Sequence, residues 1–61
     1  MTNKLKEIRK THNKTQKEIS DILQITQVAY HNYENNKRKI PLLVIIKLAK
    51  FYNIELEELI K

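Results

Sequence analysis

Three groups of side chains in this 61-residue sequence are of types that can do chemistry. Glu55, Glu57 and Glu58 cluster near the end of the chain, where carboxylates could hold a metal or act as acid and base. Three carboxylates on one short helix are far more often a solvated face. The two histidines, His12 and His31, are well separated and there is no cysteine, so neither a Cys/His metal site nor a disulfide framework can be assembled. With no combination of nucleophile, base and cleft, the sequence reads as a non-enzyme with no cofactor and no metal. The second group, Lys37-Arg38-Lys39, is of the kind that meets phosphate, although such a run alone is usually a solvated loop. The third group, Gln27, Val28, His31 and Asn32, can hydrogen-bond or make apolar contact. It occupies sides of a helix that have no evident structural work.

Twelve Lys and Arg against seven Asp and Glu leave a net charge of +5, the balance of a protein that meets a polyanion. A chain this short makes one domain and buries only about 60% of the surface it exposes when unfolded, which argues against a large cleft. The first residues, Met1 to Arg9, lack the apolar core of a signal peptide, and no stretch approaches the roughly 20 apolar residues of a membrane span. A cytoplasmic location is expected.

The elements that must position these groups follow from three-to-four spacing of apolar residues and the absence of β-type alternation. The expected fold is all-α, a compact five-helix bundle in a single domain over residues 1–61. A first helix runs from about Asn3 to His12 with Leu5 and Ile8 inward, and Asn13 is a left-handed stop. Thr15 and Glu18 form a capping box that starts a second helix over about residues 16–23, with Ile19, Ile22 and Leu23 inward and the small Ser20 at a close approach. Thr26 caps a third helix over about residues 27–33, with Ile25 plugging the turn and Tyr30 and Tyr33 in the core. A turn this short makes the second and third helices cross steeply. After a polar loop, Pro41 suits the first turn of a fourth helix. Leu42, Ile45, Ile46, Ala49 and Phe51 or Tyr52 give that helix its apolar stripe, Asn53 ends it, and Leu56 and Leu59 belong to a short fifth helix.

The run from Thr15-Gln16 through Leu23 and Thr26 to Tyr33-Glu34-Asn35-Asn36-Lys37-Arg38 resembles the Cro and phage-repressor (XRE) helix-turn-helix family, over nearly the whole chain. Members typically read T-Q-x-E-[LI]-A in the second helix and L-G-[VI]-[ST] at the turn. The sequence E-N-G-K-R then follows the recognition helix, and P-x-x-x-L-x-K-[IL]-A opens the fourth. Three departures are visible: Gln24 in place of the turn glycine, Asn36 within E-N-G, and Ser20 for the usual alanine. Asn36 tolerates the left-handed conformation, whereas Gln24 pays on the order of 1 kcal/mol for it.

The resemblance implies binding to double-stranded DNA, with the third helix in the major groove. Gln27, Val28 and Asn32 then face base edges with His31 beside them. Gln and Asn pair with adenine and Val28 meets a thymine methyl, which suggests an A·T-containing half-site. Phosphate contacts are expected from Gln16, Thr26, Asn35, Lys37, Arg38 and Lys39. Arg9 and Glu34 are expected to form a structural ion pair. Members bind operators as two-fold dimers, so weak self-association is expected here through the fourth and fifth helices, with Leu43, Val44 and Phe51 as its apolar contacts. The expected function is a repressor-like transcriptional regulator on a palindromic operator. The alternative is a module of the same fold that holds a protein partner, antitoxin-like or co-regulatory, with DNA binding secondary.

Overall fold

The computed structural model describes residues 4–60, which form five helices and no strand. They are α1 (Leu5–Thr11), α2 (Gln16–Leu23), α3 (Gln27–Glu34), α4 (Leu42–Tyr52) and α5 (Leu56–Ile60). The five-helix, all-α expectation is met. The expected start of the first helix at Asn3 lies outside the described residues. At the other end α1 stops at Thr11, and His12 caps it, with the ring Nδ1 2.8 Å from the Ile8 carbonyl.

Helix starts are fixed by side chains. The Thr15 hydroxyl accepts from the Glu18 amide at 3.1 Å, and the Glu18 carboxylate accepts from the Thr15 amide at 2.9 Å. That bond to the Thr15 backbone, helped by the one to its hydroxyl, holds the Glu18 carboxyl below its ordinary pKa. Thr26 accepts from the Ala29 amide at 3.1 Å and so starts α3. Pro41 stands one residue outside α4, not within its first turn: its backbone is extended (φ −62, ψ 144), and its carbonyl accepts from Val44 and Ile45. A proline cannot donate, so it fits either place.

Helix ends share one solution. Asn13, Gln24, Asn36 and Asn53 all take left-handed φ values of 57 to 59°. In each case the next amide reaches back five residues, Lys14 to Arg9, Ile25 to Ser20, Lys37 to Asn32 and Ile54 to Ala49, at 2.9–3.1 Å. These are Schellman closures, usually made with glycine, in a chain that has none.

Every helix contributes to the core, which is centred on Leu5, Ile19, Leu23, Tyr30, Leu48 and Leu59. The inward face of α4 differs from the expected one. Val44, Leu48, Ala49 and Tyr52 are buried and Ile45 and Ile46 half-buried, while Leu42 is 66% exposed. Val44, expected on the dimer face, is only 8% exposed and belongs to the core. The physical reason is that α4 carries just two polar residues, Lys47 and Lys50, in eleven, so hydrophobicity alone leaves its orientation loosely specified. Ile22, also expected inside, is exposed at the margin of α2. Ile19 and Leu23, four residues apart, already fill the contact edge of α2.

Candidate nucleic-acid interface

Three residues, Gln24 to Thr26, join α2 to α3. The left-handed Gln24 reverses the chain, Ile25 packs against the core, and the buried Ser20 gives α3 room beside α2. Gln27 therefore opens α3 at the protein surface, with Val28 beside it at 70% exposure. Gln27, Val28 and His31, together with Gln16 of α2, line a shallow concavity of about 360 Å³. Asn32 is half-buried and outside that lining, and its carbonyl closes the end of α3.

Behind this face lies a buried charge pair. Arg9 of α1 donates from Nε to Glu34 Oε2 at 2.6 Å and from Nη2 to Oε1 at 3.3 Å, while its Nη1 donates to the Lys14 carbonyl at 2.8 Å. Burial alone would raise the Glu34 pKa, but the hydrogen bonds from Arg9 and Gln16 prevail and hold it below its ordinary value. The bond to Glu34 likewise raises Arg9 against the opposing effect of burial. The hydroxyls of Tyr30 and Tyr52 are buried nearby without a well-formed hydrogen bond. Burial, and then the adjacent Glu34 carboxylate, push the Tyr30 hydroxyl far above its ordinary pKa. Burial, against the opposing Arg9 charge, pushes Tyr52 up to about 12.

Gln16 connects this pair to the exposed face, a role the sequence reading missed. Its Nε2 donates to Glu34 Oε1 at 3.0 Å and lies 3.3 Å from His31 Nδ1. The Gln16 amide nitrogen is thus engaged within the protein, while the contact expected from Gln16 was to a phosphate. The partners are 15 and 18 residues away in sequence, so only the helix crossing brings them together.

Among the expected phosphate ligands, Thr26 directly precedes Gln27 and the Asn35 amide lies 3.3 to 3.4 Å from the His31 ring. Lys37, Arg38 and Lys39 are exposed and make no ion pair among the described residues. The Thr26 hydroxyl is exposed, and while it accepts from Ala29 its own proton stays free to be donated. Asn35 spends one amide proton on the His31 carbonyl at 2.8 Å. On α4, Leu43 and Phe51 are exposed, Leu43 at 70%.

No group of His, Cys, Asp or Glu among the described residues could hold a metal ion, and no helix there is long and apolar enough to cross a membrane. A family model described as helix-turn-helix matches residues 5–59, from the first turn of α1 into α5. No curated protein matches the chain.

Proposed function

The chain belongs to the helix-turn-helix family, of the XRE type, and on that premise we propose that it is a sequence-specific, repressor-like regulator acting as a dimer on a palindromic operator. Family membership supports double-stranded DNA as the ligand and a regulatory, generally non-enzymatic role. The observation that carries the reading is the exposed concavity formed by Gln16, Gln27, Val28 and His31. It presents amide, imidazole and methyl groups, the types that read base edges, and α3 is followed by a loop of three exposed cations that make no ion pair among the described residues. The opening residues of α3 enter the major groove, with Gln27 and Val28 on bases and Asn32 beyond them. Thr26, Asn35, Lys37, Arg38 and Lys39 then hold the flanking phosphates. A DNA regulator of this kind works in the cytoplasm.

Selection from a randomised duplex pool tests this. A palindromic winner bound far above a scrambled duplex, and weakened about tenfold by Gln27→Ala, is the expected result. Weak binding that depends only on salt, with no sequence selected, would sink the specific-regulator reading. One observation favours a second reading, a module that holds a protein partner: Leu43 is 70% exposed on α4, on the face that also carries Lys47 and Lys50. That reading predicts that Leu43→Glu abolishes function while Gln27→Ala leaves it intact.

A further inference from the structure

We propose that His31 is a specificity-determining residue, oriented by Gln16 and Glu34 with its lone pair on Nδ1 and its ring proton on Nε2, so that it reads a guanine as a fixed hydrogen-bond donor. The inference rests on the DNA-reading function proposed above. It starts from the buried end of the chain of contacts. Glu34 is gripped by Arg9 through two bonds, and its side chain is 1% exposed, so it is ionised at neutral pH and can only accept. The amide of Gln16, 3.0 Å from Glu34 Oε1, must therefore present its NH2 group and not its oxygen.

That nitrogen carries two protons. With one on Glu34, the other meets His31 Nδ1 at 3.3 Å. Two donors cannot share that contact, so Nδ1 carries the lone pair and the ring proton resides on Nε2. The remaining neighbour is compatible with the assignment. Asn35 Nδ2 lies 3.4 Å from Nδ1 and 3.3 Å from Nε2, so a second amide proton there can also meet the Nδ1 lone pair. Its other amide proton goes to the His31 carbonyl. His12 is the opposite case: its Nδ1 lies 2.8 Å from the Ile8 carbonyl, which can only accept, so there the proton is on Nδ1.

His31 is exposed and lines the concavity, and a ring whose Nε2 only donates discriminates among base edges. In the major groove guanine offers two adjacent acceptors, N7 and O6, without a donor. Adenine places a donor beside its N7, and thymine flanks its single O4 with a methyl group. Among amide side chains that favour adenine, His31 thus adds a guanine to the half-site, and Glu34, through Gln16, is the positioning residue that fixes its polarity.

Two measurements on the full chain test the two halves separately. Long-range proton–nitrogen correlation on 15N-labelled protein at neutral pH should show His31 protonated at Nε2 and His12 at Nδ1. Gln16→Ala should move His31 toward a tautomer mixture without moving His12. In the selected duplex, 7-deazaguanine placed at each guanine in turn should weaken binding about fivefold at one half-site position. The same substitution should cost His31→Ala nothing further. A mixed or Nδ1-protonated His31 in the unaltered chain overturns the relay. A selected site without guanine, no sensitive guanine, or equal loss with His31→Ala overturns the reading role. Failure to select any duplex overturns the DNA-reading function beneath it, whatever the ring state.

Discussion

Glu34 sits where stability and recognition meet: it pairs with Arg9 from α1, accepts from Gln16 of α2 and belongs itself to α3. Because folding holds its carboxyl below the ordinary 4.5, the stabilisation is fully present above that value and is lost as pH falls through the lower folded value. Denaturant unfolding between about pH 3 and 7 should show this acid-side loss in the unaltered protein. Glu34→Gln should lack that step and be about 3 kcal/mol less stable at neutral pH, because it strands a buried Arg9. The loop cations act differently. If they hold phosphates as proposed, they set salt dependence, and Lys37→Ala should lower the slope of log affinity against log salt by about 1 without changing the preferred sequence. In the sequence, the Arg9–Glu34 pair was legible through family resemblance. The Gln16 bridge was not, since it depends on which end of an amide faces a carboxylate.

Among the elements, helix ends were more legible than helix faces. Thr15, Glu18 and Thr26 cap by local bonds three residues long, and Asn13 and Asn53 stop helices where an Asn tolerates positive φ. The orientation of α4 was not readable: with apolar residues nearly all round, its inward face is chosen by the shape of the core it meets, and Val44 turned inward. Gln24 is the costly stop, because a long side chain in the left-handed region pays about 1–2 kcal/mol. Part of that is recovered in the unfolded state, where glycine is more flexible. Gln24→Gly should therefore stabilise the protein by about 0.5–1 kcal/mol, a rise in Tm of a few degrees measurable by thermal unfolding. The same substitution at Asn53 should give less.

On the scale of the whole molecule, size limits how two copies can pair. The domain measures 24 × 23 × 20 Å, whereas half-sites on one face of DNA lie about 34 Å apart. On the proposed dimer reading, the exposed Leu43 and Phe51 would bridge the remaining gap of about 10 Å through side chains alone, a small contact and so a weak one. Pairing should be undetectable by sedimentation at micromolar protein and appear as cooperative binding to a two-half-site duplex. Leu43→Glu should remove the cooperativity and leave single half-site affinity within about twofold. Unchanged cooperativity in that variant would place the contact elsewhere. The Lys4 amide donates to the Leu59 carbonyl at 3.0 Å, so the first and last turns of the fold lie side by side. Connectivity is therefore nearly circular, and the order in which the helices are strung is separable from how they pack. A short peptide joining the ends, with the chain reopened between Arg38 and Lys39, should yield a permutant that folds to the same bundle. Any domain tethered to either end would hang from one and the same corner.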